Sequence, residues 1–196
     1  MHPKADIQKI PRKLLPTNYT VTDWDALEPF FKELNERTIT SKAELENWLI
    51  DLSELEAVVS EDACWRQIKM TCDTTDKSLE EAFTYFCMEI QPKLQQYADA
   101  LNKKLVNCSF TAELDQAAYH TYLRSVKKSI ELFREENIPI IAELSVLQQQ
   151  YGTIAGKMTV EVEGKEYTLQ QAAKFLESSD RKIREAVYYK IQERRK

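Results

Sequence analysis

The stretch SKAELENWLIDLSELEAVV, residues 41–59, decides the fold. Leu45, Trp48, Leu49, Leu52, Leu55 and Val59 follow the spacing of one helical face, with polar residues between them. Ser41 followed three residues later by Glu44 reads as a capping box that starts this helix. The pattern continues less regularly through Trp65 and Ile68, so the spacing predicts one long helix ending near Cys72.

The same rules extend in both directions. Upstream lies a Pro-punctuated arm over residues 1–20, with Pro3, Pro11 and Pro16, and then Thr22 as the cap of a helix carrying Trp24, Leu27, Phe31 and Leu34 on one stripe. Downstream, Ser78 with Glu81 repeats the capping box, and Leu79, Phe83, Phe86, Ile90, Leu94, Tyr97 and Leu101 mark a third helix. Pro92 removes one of its hydrogen bonds, which predicts a kink one turn upstream. Thr111 is the expected cap of a fourth helix with a stripe of Leu114, Ala118, Tyr122, Val126, Ile130 and Phe133. Asn137-Ile-Pro139 begins a fifth, which runs towards Tyr151.

Glycine is scarce: there are three, all between Gly152 and Gly164, against a usual share of about 7%. That excludes Gly-rich phosphate loops and dinucleotide fingerprints. The glycines coincide with the strand-like text, where Met158, Val160 and Val162 alternate with polar residues and Gly164-Lys165 suits a two-residue turn. A lone hairpin is marginal in water, so this one must pack on a helix or pair with a strand from elsewhere. Thr168 with Gln171 caps a short helix to about Glu177, and Ser179 opens a last one with Ile183, Val187 and Ile191 on its inner line. That helical spacing persists to the last residue with no partner for its apolar line, as in a truncated chain. The expected fold is therefore all-α, an antiparallel multi-helix bundle with one β-hairpin, residues 158–167, inserted near the C-terminal end. The arm covers residues 1–20, the long antiparallel helices 21–106, and the remaining helices with the hairpin 111–196, packed as one unit with 21–106.

The chain carries 27 basic and 32 acidic side chains, a net charge of −5. The basic excess sits at the two ends, which leaves an acidic body and argues against nucleic acid or an anionic membrane as partner. No apolar run reaches the roughly 20 residues of a spanning helix, and Met1-His2-Pro3-Lys4 does not open a signal peptide, so a cytoplasmic location is expected. Cys64, Cys72, Cys87 and Cys108 form no Cys-x-x-Cys pair and are expected reduced and mostly buried.

Chemistry-bearing clusters are sparse. The two histidines are His2 in the arm and His120, which projects beside the apolar arc of its helix among Glu113, Arg124, Lys127 and Glu131. Glu80-Glu81 and Glu135-Glu136 are adjacent in sequence and splay apart on a helix, as surface charges do. No catalytic, cofactor-binding or metal-binding residue is expected in this chain.

One stretch carries a resemblance. Ile138-Pro-Ile-Ile-Ala-Glu-Leu144 precedes Gln-Gln-Tyr-Gly152, the hairpin, Thr168-Leu-Gln-Gln-Ala172 and the Ser178-to-Arg184 helix start of the form Ser-x-Asp-Arg-x-x-Arg. This order resembles the non-catalytic front half of the oligoendopeptidase F-like zinc metallopeptidases, relatives of thimet oligopeptidase. Residues 20–136 agree in reading as long antiparallel helices. The resemblance implies a parent enzyme that hydrolyses short peptides in a channel between helical lobes, with zinc held by a His-Glu-x-x-His helix and a downstream glutamate. Positions 1–196 contain no such pair of histidines, so this segment is expected to form a channel wall and to be inactive alone. The hairpin and the last helix would then dock a catalytic lobe. A freestanding helical interaction module and a regulatory homologue without the catalytic half are the alternatives; a His-Glu-x-x-His helix encoded beyond Lys196 separates them from the peptidase.

Overall fold

A computed structural model describes residues 11–74 and 76–196. His2 and Pro3, and with them the first half of the expected arm, lie outside the described residues. The chain forms α1 (Trp24–Glu36), α2 (Lys42–Cys72), α3 (Lys77–Tyr85), α4 (Gln91–Asn107), α5 (Gln116–Leu132) and α6 (Asn137–Gly156). The hairpin β1 (Thr159–Val162) and β2 (Lys165–Thr168) follows, and then α7 (Leu169–Ala173) and α8 (Arg181–Arg194). The all-α fold with one hairpin near the C-terminal end is what the sequence predicts.

The deciding stretch forms α2, and Leu45, Trp48, Leu49, Leu52, Leu55 and Val59 are all buried. The Ser41 hydroxyl accepts the Glu44 N–H at 3.2 Å, but the Glu44 carboxylate reaches back one residue further than a capping box requires, to the Thr40 N–H at 2.6 Å and its hydroxyl at 2.8 Å. Past Val59 the helix is less covered, although Met70 is still buried. Trp65 and Ile68 are exposed, as are Cys64 and Cys72, whereas Cys87 is buried and Cys108 half-buried. The thiols are therefore less buried than expected.

Ser41 is the cap that the sequence predicts, but four other helix starts differ from the sequence reading. Asp23 caps α1 in place of Thr22, Asp76 caps α3 in place of Ser78, Asp115 caps α5 in place of Thr111, and Asp180 caps α8 in place of Ser179. Each carboxylate accepts a first-turn N–H, at 2.8–2.9 Å, and adds negative charge where the helix dipole is positive. Thr111 instead lies in a 3₁₀ turn, Ser109–Glu113, and donates its hydroxyl to the Leu105 carbonyl. On α5 the buried residues are Leu123 and Val126, with Ala118 and Tyr122 exposed, so the inner line is rotated by about one residue from the expected stripe.

The third helix is interrupted just upstream of Pro92. Phe86–Ile90 form a π-helical turn between α3 and α4, in which the Gln91 N–H reaches the Phe86 carbonyl five residues back. α6 runs through Gly152 to Gly156, past the expected end at Tyr151.

Two apolar cores result. The larger joins the arm at Leu15 and Val21 to α1, α2, the π turn, α4 and α5. The smaller contains Val160 and Val162 of the hairpin, Leu169 and Ala172 of α7, and Val187 and Ile191 of α8. The apolar line of the last helix is therefore occupied by the hairpin, contrary to the expectation that it lacks a partner. Lys190 of α8 also donates to the Glu161 carbonyl at 2.7 Å. Val162 pairs with Lys165, so the turn residues are Glu163 and Gly164, at φ 54° and 77°, one position before the expected Gly164-Lys165.

Main-chain carbonyls at the end of α1 converge on one cation. Lys104 Nζ donates to the carbonyls of Leu34 at 2.7 Å, Asn35 at 2.8 Å and Arg37 at 2.6 Å, while the buried Trp48 indole donates to Leu34 at 2.8 Å. Lys104→Ala is expected to lower unfolding stability by about 2–3 kcal/mol, because these acceptors lose their donor. Lys32→Ala, which breaks an exposed pair with Glu28, should change it by less than about 1 kcal/mol. Urea unfolding of the two variants checks the difference.

Candidate functional site

Two clefts of similar size lie on opposite parts of α2. The first, about 770 Å³, is enclosed by Pro11–Lys13, the middle of α2 and Ala118, Tyr119 and Tyr122 of α5. Its floor is set by Glu54, whose carboxylate accepts the backbone N–H groups of Lys13 at 2.7 Å, Leu14 at 3.1 Å and Leu15 at 2.8 Å. Burial pushes the Glu54 carboxyl up, but these three donors and Arg12 outweigh it and leave it below the ordinary carboxylate value. Part of Glu56 reaches solvent, yet burial against the cleft raises its carboxyl, and burial followed by the Glu56 charge raises the Tyr122 phenol.

The second cleft, about 790 Å³, lies between the outer half of α2, the π turn and α6. Its walls carry the amides of Gln67, Gln91, Gln148 and Gln170 together with Gly152 and Gly156. A Cβ at either glycine would meet nothing within 4 Å, so the surface there is backbone bordering open space. Pro92 follows the π turn that borders this cleft. That turn places Phe86, Cys87 and Gln91 on the wall.

The residues singled out in the sequence are not brought together. His120 is exposed in a shallow depression with Arg124, Lys127 and Lys128, cations that oppose a bound metal ion. Glu80 accepts from Gln149 Nε2 at 3.2 Å and ties α3 to α6, while Glu135 accepts from Gln96 Nε2 at 3.4 Å. Both are structural contacts. Cys64 and Cys87 line the second cleft. Among the described residues no group of three or more His, Cys, Asp or Glu side chains could hold a metal ion, so these residues do not fit a zinc centre. No described helix is long and apolar enough to cross a membrane.

The Ser178-to-Arg184 motif has a structural job. Ser178 Oγ accepts the Asp180 N–H at 3.2 Å, and Arg184 turns back to donate to the carbonyls of Ser178 at 2.6 Å and Ser179 at 3.0 Å. Thr168 and Gln171 form the full reciprocal capping box that the sequence predicts. The side chains of these motifs lock the entrance of α7 and α8, which places the hairpin.

Residues 15–133, from the end of the arm through α5, match the model of the peptidase M3 N-terminal domain. The chain belongs to that family. Three solved structures share its fold. One described as an oligoendopeptidase F is 22% identical at a TM-score of 0.80, covering 94% of this chain and 33% of that one. PZ peptidase A with an inhibitor is 18% identical at 0.80, covering 93% and 33%. An oligoendopeptidase F from Bacillus anthracis str. Ames is 18% identical at 0.79, covering 94% and 34%. The chain thus spans about a third of the structures it resembles. None of the curated proteins compared with it matches.

Sequence reasoning missed Glu54, because nothing local marks a carboxylate that binds a segment 39 to 41 residues away. Glu54→Ala should loosen the arm by about 1–3 kcal/mol, read as several-fold or faster trypsin cleavage after Arg12 and Lys13. Since the folded-state pKa lies below the unfolded one, the tether stabilises fully above about pH 4.3 and is lost as pH falls through the folded value. The same proteolysis on the native chain should accelerate only below that range, with an acid-stable protease replacing trypsin.

Proposed function

We propose that this chain is the N-terminal helical region of a zinc-dependent oligoendopeptidase and forms one wall of the channel that admits short, flexible peptides. The observation that carries the reading is the extent of the likeness. The family match ends at residue 133, whereas the shared fold covers 94% of the chain and so extends well beyond it. Both structures described as oligoendopeptidase F are about three times as long, and this reading assigns the metal and the hydrolytic residues to the part of such a protein that these 196 residues do not span.

The second cleft suits the proposed wall. Glutamine amides donate and accept hydrogen bonds as a peptide backbone does, and they do so without charge, so they read main chain rather than side chains. Gly152 and Gly156 leave the approach open. The catalytic portion would meet this region on the hairpin side, where Tyr188 and Tyr189 of α8 remain exposed. A reducing compartment, the cytoplasm, suits the exposed thiols Cys64 and Cys72.

The test compares the 196-residue chain with the longer polypeptide of the same reading frame. The longer chain should cleave a quenched fluorogenic peptide, lose that activity to o-phenanthroline and carry one zinc per chain by atomic absorption. The short chain should show neither metal nor turnover. In the longer chain Gly152→Trp should raise KM several-fold with kcat little changed, as removal of substrate binding does. Gly152→Ala should leave KM alone and stabilise the fold by about 0.5–1 kcal/mol. An unaltered KM for Gly152→Trp would remove this cleft from the channel. A longer chain without turnover would leave the interaction-module reading.

A further inference from the structure

α6 is amphipathic the wrong way round for a surface helix. Its buried residues are Ile138, Ala142 and Gln149, and Gln149 Nε2 is held by Glu80 at 3.2 Å and Thr153 Oγ1 at 3.1 Å. Its solvent side carries Ile140, Leu144, Leu147, Tyr151 and Ile154, each between 51% and 73% exposed. At 100° per residue these five fall within an arc of about 80°, directly opposite the buried three. Their spacing of four, three, four and three is that of a helix seam that receives another helix. Ile141, also exposed, broadens one shoulder.

Charge is missing where a solvated face would have it. Across Asn137–Gly156 the one ionisable carboxylate or ammonium side chain is Glu143, in a protein whose charged residues make up 30%. The side toward the body buries Ile138, a small Ala and an amide, while five large apolar side chains face outward. A helix that is apolar on its outer face while docked on its inner one is a helix meant to be covered twice.

We infer that the Ile140-to-Ile154 seam is the docking surface for an apolar helix from the remaining two thirds of the M3 peptidase, an inference that rests on the proposed function. The dimensions favour this occupant over a second copy. The seam is about 21 Å long and one helix wide, well short of the roughly 800 Å² per partner that stable independent interfaces bury. A partner on the same polypeptide needs less area, because tethering supplies it at about millimolar effective concentration. The structures that share this fold are long enough to provide it, since the chain accounts for 33–34% of each.

Hydroxyl-radical footprinting read by mass spectrometry tests the seam in the 196-residue chain at low micromolar concentration and in the longer polypeptide of the same reading frame. Leu144, Leu147 and Tyr151 should oxidise readily in the short chain and at least tenfold more slowly in the long one. The pair Leu147→Gln with Tyr151→Gln should leave the unfolding midpoint of the short chain unchanged and lower that of the long chain. Equal oxidation in both chains overturns the inference. So does protection in the short chain that grows with its concentration, which assigns the face to a second copy, and so does a reading frame that stops at Lys196. Protection in a long chain without peptide turnover keeps the seam and removes the peptidase reading. Turnover with an unprotected seam does the reverse.

Discussion

The end of α1 is the point on which the larger core depends. Leu34 and Trp48 are fully buried, so the Leu34 carbonyl is out of reach of water. It is satisfied twice, by the Trp48 indole of α2 and by the Lys104 ammonium of α4. The ammonium also stands 5.7 Å over the Trp48 ring, which returns part of the cost of removing it from solvent. Burial, and then the neighbouring Arg37, depresses the Lys104 pKa, while carbonyls from Leu34, Asn35 and Arg37 surround it with partial negative charge. One side chain thereby fixes where three helices meet.

The same device recurs wherever an extended segment must be held to the bundle. Arg66 of α2 donates to the Val21 carbonyl at 2.9 Å and to the Ala82 carbonyl at 3.0 Å, with Asp62 balancing its charge at 2.6 Å. Glu54 collects three N–H groups of the arm. Extended backbone has no ladder partner in an all-helical body, so its polar groups must find side chains, and a charged one forms the stronger bonds. Together Lys104, Arg66 and Glu54 bind α1, α2, α3, α4 and the arm into one frame. The walls of both clefts are built on that frame.

Local patterning was legible, and what depended on distant partners was not. The stripe over Leu45–Val59 fixes α2 because each turn repeats the same burial. Four helix starts were read one to four residues away from their true caps, each toward Ser or Thr, whereas Ser41 and Thr168 cap as read. An Asp nearby was the better acceptor at the positive end of the dipole. Tethers such as Lys104 to Leu34, 70 residues apart, leave no periodic trace. Neither cleft of the candidate site was legible. The clefts themselves arise from how α2, the π turn and α6 lie together, which stripe directions alone do not specify.

α6 stands between the two cores and supplies a buried residue to neither apolar cluster. Its main packing partners are the π turn and α4, and Gln149 adds a hydrogen bond to Glu80 of α3; the buried residues are one Ile, one small Ala and that amide. Such an interface holds a helix in place with little apolar area, so its share of stability is small beside that of α2. Apart from Ile138, the Leu, Ile and Tyr side chains of α6 all lie on the far side or its shoulder. A seam that contributes nothing to the isolated fold, yet would lower solubility if left open, is what the proposed docked helix accounts for. The cleft with the glutamine amides runs along the edge of the same helix, with Gln148 and Gly152 on its wall. A helix seated on the seam, as inferred above, would therefore lie beside that cleft.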